Sequence, residues 1–115
     1  MELMVLLQLK HWYVDFVNQS MDEVRAKGEY GNPLGLWHSI KHAFFTFLIF
    51  LLVDLDLAVA LFALDFILHY HIDWVKMNYG NQDINTPQFW NHLGLDQLAH
   101  QLCYILYVYL WLLGV

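Results

Sequence analysis

Three long apolar runs constrain the fold of this chain more than any other feature. They extend from Leu34 to Val53, from Leu57 to about Val75 and from Leu95 to Val115. Each comes close to the roughly 20 residues that an α-helix needs to cross a bilayer. Because stretches such as AFFTFLIFLLV have no polar face, a soluble bundle of amphipathic helices is disfavoured. The runs therefore predict helices that are surrounded by lipid.

A fourth, shorter run from Glu2 to about Val17 completes the predicted layout. The polar segments 18–33 and 77–92 follow the first and third runs, whereas only a tight acidic turn at Asp54 and Asp56 joins the second run to the third. We predict an all-α, polytopic membrane protein in which four transmembrane helices form a single domain over residues 1–115.

Composition agrees with lipid as the solvent for much of the surface. Hydrophobic residues make up 59% of the 115 residues and charged residues only 14%, against roughly 25% charged in an average soluble domain. The net charge of -6, from 11 acidic and 5 basic residues, argues against nucleic acid as a partner. The single cysteine, Cys103, excludes an intramolecular disulfide framework.

The basic residues predict an orientation in the membrane. Arg25 and Lys27 lie in the first polar segment and Lys76 opens the second, whereas the tight turn and both termini have no lysine or arginine. Cytoplasmic loops carry the excess of basic residues in membrane proteins. We therefore predict that both polar segments face the cytoplasm and that both termini lie outside.

Ionisable residues within these runs form four pairs with the same spacing. Charged side chains are costly inside a membrane and usually serve a function. An i,i+4 spacing places both members of a pair on one helix face, as in helical motifs that hold zinc. The pairs are His11 and Asp15, His38 and His42, His69 and Asp73, and Asp96 and His100.

The four pairs also reveal an internal repeat. Adding 58 to positions 11, 15, 38 and 42 gives positions 69, 73, 96 and 100, and NPLGL at 32–36 is similar to NHLGL at 91–95. We predict two tandem helical hairpins, about 1–55 and 56–115, related by an axis along the membrane normal. All eight residues then lie at the cytoplasmic helix ends, within roughly 15 Å of depth, and converge on one metal site.

Five histidines and three aspartates exceed the four to six ligands of one transition ion. Either two ions share the set, which the repeat favours, or one ion is bound and the other residues orient its ligands. The high histidine content favours zinc, with iron and manganese as alternatives.

The sequence predicts different roles for the other ionisable residues. Asp65, one turn deeper than His69, is predicted to orient that histidine or to neutralise Lys10 or Lys41 rather than to bind metal. For the two lysines, snorkelling toward the headgroups and an electrostatic role in the site both remain open. His71 and His92 are predicted to lie outside the site, and the tyrosines of the last helix to serve packing.

Four sequence blocks carry a resemblance to a known family. HWYVDFVNQ, WHSIKHAFFTF, HYHIDWVK and LDQLAH are similar to the HxxxDFxxQ, HxxxH, HxxxDxxK and DQxxH blocks of domain-of-unknown-function family 3307. The resemblance implies a small integral membrane protein of bacteria and their phages, in the bacterial inner membrane. It points to the same eight residues, flanked by Gln19, Lys76 and Gln97, and the family name confers no activity.

The leading functional hypothesis is a metal-dependent hydrolase that acts on a lipid-borne or membrane-proximal ester or phosphoester. Bound metal makes hydroxide available near neutral pH. Asp15, Asp73 and Asp96 are the predicted general-base candidates, and Lys76 or Lys41 would stabilise a developing oxyanion. The alternatives are a non-enzymatic metal-binding or transport protein, and a structural or host-modulating protein in which metal staples the helices.

Self-association is a further prediction for so small a bundle. Ala58, Ala60 and Ala63 follow one another along the third helix. Small residues allow transmembrane helices to approach closely. We therefore predict a homo-oligomer that packs through this segment.

Overall fold

The computed structural model describes residues 1–114, and over that range the chain is all-α with no β-strand, which confirms the predicted class. One π-helical turn, Tyr13–Val17, continues the first helix. The predicted end of the last helix at Val115 lies outside the described residues. The helices are α1 (Glu2–Trp12), α2 (Met21–Ala26), α3 (Pro33–Leu51), α4 (Leu55–Tyr79) and α5 (Pro87–Leu112).

One predicted boundary was wrong and one short helix was missed, and helix-capping residues explain both. Helix α5 begins at Pro87 rather than at Leu95, because Thr86 accepts a hydrogen bond from the backbone N–H of Phe89 and a proline suits the first helical position. Helix α2 lies inside the first polar segment, where Ser20 accepts from the backbone N–H of Glu23. The prediction followed hydrophobicity alone and missed both caps.

The predicted tight turn is present between α3 and α4. Helix α3 ends at Leu51 and α4 begins at Leu55. Asp54 caps α4 by accepting a 2.9 Å hydrogen bond from the backbone N–H of Leu57. Its carboxylate is favourable at this helix N-terminus because it satisfies a free backbone donor and complements the helix dipole.

The four long helices form a closed ring. Helix α1 contacts α3 and α5, helix α4 contacts the same two, and α2 packs on α3. One end of the interior is an apolar core that includes Leu7, Phe50 and Leu61. The other end contains buried ionisable side chains, where the C-terminal parts of α1 and α4 meet the N-terminal parts of α3 and α5.

The distribution of polarity is inverted relative to a soluble domain. Charged side chains such as Lys10 and Asp73 are buried, whereas large apolar ones such as Leu9, Val59 and Ile105 are more than half exposed. A soluble monomer rarely exposes a contiguous apolar surface of this kind. Two helices, Pro33–Leu51 and Leu55–Tyr79, are long and apolar enough to cross a membrane.

The alanines that were predicted to mediate self-association do not share one surface. Ala58 is fully buried in the apolar core, so its assignment to an interface between chains was wrong. Ala60 and Ala63 are exposed. The homo-oligomer itself stays a prediction, and of the three alanines Ala60 and Ala63 are available for such a contact.

The glycines of the two NxLGL segments should respond differently to alanine. A Cβ on Gly35 would lie 2.9 Å from the backbone oxygen of Ala26, whereas one on Gly94 would meet nothing within 4 Å. We expect Gly35→Ala to destabilise the fold by about 1–3 kcal/mol, because α2 must move away from α3. Gly94→Ala should stabilise α5 by up to about 1 kcal/mol. Thermal unfolding in detergent measures both, and equal melting temperatures would contradict the close α2–α3 contact.

Candidate metal centre

The paired residues of the first hairpin, His11, Asp15, His38 and His42, form the first half-site, and those of the second hairpin, His69, Asp73, Asp96 and His100, form the second. Asp15 lies at the centre of the first half-site, in the π-helical turn after α1. Its Oδ1 accepts hydrogen bonds from His38 Nε2 at 3.0 Å and from His42 Nε2 at 2.6 Å. Its Oδ2 lies 3.2 Å from His11 Nε2. Turns of this kind occur frequently at functional sites. The carboxylate joins the end of α1 to the start of α3.

Hydrogen-bond partners determine the protonation of His11. Gln97 Nε2 donates to Asp96 Oδ2 at 3.1 Å, so the Gln97 oxygen is the atom that faces His11. Because an amide oxygen only accepts, His11 Nε2 carries the proton and donates at 2.6 Å. Nδ1 then accepts from the Tyr104 hydroxyl at 2.7 Å. Both nitrogens of His11 have protein partners, and Gln97 connects the two half-sites.

The partners of His42 determine its protonation in the same way. Lys10 Nζ lies 3.2 Å from His42 Nδ1. Because an ammonium group only donates, Nδ1 accepts and the ring proton lies on Nε2, which donates to Asp15. His42 therefore also uses both nitrogens within the protein.

His38 is enclosed by carboxylates and falls outside both groups of residues that could hold an ion. Nε2 faces Asp15, and Nδ1 lies 3.4 Å from Glu23 Oε2. Lys41 donates to both oxygens of Glu23, at 3.0 and 2.9 Å. Because ionised carboxylates only accept, both nitrogens of His38 act as donors. The predicted ligand His38 and the lysine Lys41 thus belong to a hydrogen-bonded group that attaches α2 to the bundle.

Asp65 forms a third polar group, one turn deeper than the histidines. Lys10 Nζ donates to Asp65 Oδ2 at 3.1 Å, and Thr46 donates to the same oxygen at 2.7 Å. The Tyr107 hydroxyl donates to Oδ1 at 2.7 Å, and His69 Nδ1 lies 3.4 Å from that oxygen. Asp65 thus contacts two of its three predicted partners, His69 and Lys10, whereas the third, Lys41, pairs with Glu23.

The second half-site differs because its polar atoms lack partners. Among the residues that the structure describes, six buried side-chain atoms have no hydrogen-bond partner, and five of these belong to four residues of this half-site. They are His69 Nε2, Asp73 Oδ2, Asp96 Oδ1, His100 Nδ1 and His100 Nε2. Leaving a buried donor or acceptor unsatisfied costs about 1–3 kcal/mol. Such a concentration indicates a place for a ligand.

The geometry of these residues suits a metal ion. Asp73, Asp96 and His100 each offer one ligand atom, and these atoms lie within 4.8 Å of one another. The same holds for His11, Asp15, His42 and His69 in a second group. His69 lies between the groups, since its ring centroid is 3.9 Å from that of His100 and 3.7 Å from that of His42.

Buried charge also favours a cation. Five buried carboxylates face three buried ammonium groups and His38, which is protonated on both nitrogens, so one negative charge is in excess when the other histidines are neutral. Lys76, whose side chain is 23% exposed, lies 3.8 Å from Asp96 Oδ2 and offsets this charge in part from the edge of the site. The carboxylates are Asp15, Glu23, Asp65, Asp73 and Asp96, and the buried lysines are Lys10, Lys27 and Lys41.

Residue pairs that are related by the 58-residue repeat occupy corresponding positions but differ in their hydrogen bonds. Asp15 and His42 are 2.6 Å apart and hydrogen-bonded, whereas their counterparts Asp73 and His100 are 3.5 Å apart without a hydrogen bond. His11–Asp15 and His69–Asp73 differ in the same way, because only the first pair is in contact at 3.2 Å. The superposition of the two hairpins stays a prediction.

Comparison with known proteins gives a family and no activity. Residues 3–114 match the family described as "Protein of unknown function (DUF3307)". The chain belongs to this family. No curated protein and no solved structure matches the chain significantly. The resemblance inferred from the four sequence blocks is confirmed, and the function of this DUF3307 member has to be argued from its own site.

A small polar cavity of about 60 Å³ reaches the site between the two half-sites. Asp15, Asp96 and Gln97 line it, and Lys27 and Lys76 contribute ammonium groups. Lys27 Nζ also lies 3.6 Å from Asp73 Oδ2. The Asp96 carboxylate is buried but borders this cavity.

Sequence reasoning missed several residues of the site. Glu23 and Lys27 belong to the first polar segment, where capping at Ser20 was the only local signal. Tyr104 and Tyr107 were assigned to packing, and this was incomplete, because their hydroxyls donate to His11 and Asp65. Their spacing of four and seven residues after His100 places them on its face of α5, which was a usable signal.

The two histidines that were placed outside the site lie outside it. His71 Nε2 lies 3.0 Å from the Tyr30 hydroxyl on an exposed surface. His92 Nδ1 accepts from the backbone N–H of Asn81 at 2.8 Å. Neither belongs to a group of residues that could hold an ion.

Proposed function

We propose that this DUF3307 protein is a metal-dependent membrane hydrolase that cleaves a lipid-borne ester or phosphoester. The observation that carries the proposal is the cluster of unpartnered nitrogen and carboxylate oxygen atoms on His69, Asp73, Asp96 and His100. These atoms are buried, yet a polar cavity leads to Asp96. A purely structural network would instead satisfy its members, as the first half-site does.

One divalent transition ion, most suitably zinc, is assigned to the second half-site. Asp73, Asp96 and His100 would hold it, with His69 as the fourth ligand. Asp65 faces His69 Nδ1, which leaves Nε2 free for metal, and a carboxylate in this position typically orients a metal-bound histidine. His11, His38 and His42 would position the other groups, because their nitrogens are already engaged. Iron and manganese accept the same donors.

The protein's own residues supply the remaining chemistry. Bound zinc would supply Lewis acidity and activate water at neutral pH. Asp15 lines the cavity and would accept the proton of the attacking water, then return it to the leaving alcohol, so that water is added across the cleaved bond. Lys76 and Lys27 would stabilise the negative charge that develops on the acyl or phosphoryl oxygen.

Four membrane crossings are part of the proposal. Helices α3 and α4 meet the length and hydropathy of a span, and we extend this to α1 and α5 because their outward faces are similarly apolar. Trp12, Trp37 and Trp90 are more than half exposed near the site, as suits a membrane interface. We place the site at the cytoplasmic face of the bacterial inner membrane, with both termini outside.

The orientation rests on fewer free charges than the sequence indicated. Arg25 is exposed, but Lys27 is buried against Asp73, and Lys76 lies beside Asp96. All three still belong to the segments that are predicted to be cytoplasmic. The assignment therefore depends on the absence of basic residues from the opposite side.

Hydrolysis of short-chain phosphatidylglycerol in detergent tests the reaction. We expect release of fatty acid or of a phosphorylated head group, detected by mass spectrometry, that a chelator abolishes and zinc restores. Lys76→Gln should lower turnover by about 10²–10³-fold if Lys76 stabilises the developing charge. Arg25→Gln is the matched control, because Arg25 is exposed and lies outside the cavity.

A structural protein in which metal only holds the helices together, or a non-enzymatic metal-binding protein, would give a different result. Stoichiometric zinc without chelator-sensitive release of any product would contradict the hydrolase and leave the metal site intact. Release that continues after complete removal of metal would exclude the assigned role of the ion.

A further inference from the structure

An apolar groove lies between α4 and α5 and ends at the candidate metal centre. Its volume is about 480 Å³, within the ~300–1,000 Å³ of typical ligand pockets. Leu68, Ile72, Val75 and Ala99 line its length. Its polar lining residues include Lys76, near the C-terminal end of α4, together with His71 and His92. Asp96 belongs to both the groove and the polar cavity.

The geometry points to one acyl chain of an anionic phospholipid as the occupant of this groove. This inference rests on the proposed function and names its substrate class: the chain lies along α4 and α5, and the glycerol ester and phosphate lie beside Lys76 and Asp96. The phosphate would pair with the Lys76 ammonium group, and the ester would lie at the metal.

The length of the groove agrees with the depth of one leaflet. Leu68 and Lys76 are eight residues apart on α4, which corresponds to about 12 Å along the helix axis. One leaflet contributes half of a hydrocarbon core of about 30 Å. An acyl chain that starts at the level of Lys76 therefore has apolar side chains beside it for most of its depth.

The charge at the polar end selects the head group. Lys76 is partly exposed and lies 3.8 Å from Asp96 Oδ2, beyond hydrogen-bonding distance. Its ammonium group is therefore available to a phosphate, and metal bound at Asp96 would release it further. A zwitterionic head group brings its own cation to this position, so phosphatidylglycerol should bind in preference to phosphatidylcholine.

Photo-crosslinking of the intact protein in vesicles tests this assignment. The probe is phosphatidylglycerol with a diazirine in the middle of one acyl chain, and peptide mass spectrometry locates the label. We expect the label on Leu68, Ile72 and Ala99, and loss of most of it in Val75→Trp, which places an indole in the groove. Ile67→Trp is the matched control, because Ile67 is 52% exposed on the same helix, Val75 is 49% exposed, and Ile67 does not line the groove.

The head group and the metal are measured in the same samples. The preference for phosphatidylglycerol over the phosphatidylcholine probe should disappear in Lys76→Gln. Labelling spread evenly around the lipid-facing helices, with zinc still bound, would overturn the groove assignment alone. Groove labelling in protein that binds no metal would support the groove and overturn the proposed hydrolase.

Discussion

Replacing His100 with alanine should remove the bound metal, and replacing His69 should have nearly the same effect. Both residues have a nitrogen without a protein partner in the second half-site. Loss of a direct ligand should lower affinity by more than the ~10–100-fold that is typical for residues that only orient ligands. His11→Ala and His42→Ala should fall within that smaller range, because hydrogen bonds occupy both nitrogens of each.

The metal content of the washed protein, measured for all seven single His→Ala variants, ranks the histidines by their contribution to metal binding. His71→Ala and His92→Ala are the controls, and both should retain stoichiometric metal because neither residue belongs to a group that could hold an ion. Retention in His100→Ala with loss in His11→Ala would move the ion to the first half-site. Two ions per chain, one lost with each half, would contradict the single-ion assignment.

The sequence was sufficient for the long helices and for the placement of most site residues. Apolar runs locate helices because a bilayer demands length and hydrophobicity. The i,i+4 spacing works because 3.6 residues per turn bring such pairs to one face. Seven of the eight paired residues accordingly lie in the two groups that could hold an ion. His38 is the exception, since Glu23 approaches it from α2.

The difference between the half-sites could not be predicted from the repeat. Positions 11 and 42 match positions 69 and 100 in spacing. The hydrogen bonds of these histidines, however, depend on neighbouring residues that differ between the two halves. Lys10 engages His42, whereas Leu68 precedes His69 at the corresponding position. Tyr104 engages His11, and its counterpart is Thr46. Such contacts between helices arise from tertiary packing, which single-helix periodicity does not encode.

The second large effect concerns stability, and it centres on the buried ion pair of Lys10 and Asp65. Lys10 Nζ and Asp65 Oδ2 are 3.1 Å apart, with side chains that are 4% and 0% exposed. Lys10→Met or Asp65→Asn alone should lower the free energy of unfolding by about 3–5 kcal/mol, because each leaves the other charge buried and unpaired. The double variant should cost less than the sum of the two, since no charge then lacks its partner.

An exposed ion pair of the same chain provides the reference for the stability changes of these single and double variants. Arg25 and Asp22 are 3.8 Å apart with side chains that are 74% and 77% exposed, so Arg25→Met should change stability by about 1 kcal/mol or less. Unfolding in mixed detergent micelles measures all variants. Metal content separates the two roles of Asp65: Asp65→Asn should also weaken metal binding because it changes the group that faces His69, whereas Lys10→Met keeps the Asp65 carboxylate beside His69 and should retain more metal. If Lys10→Met costs no more than Arg25→Met, the buried pair does not hold α1 against α4, and the lysine must reach solvent or the lipid headgroups.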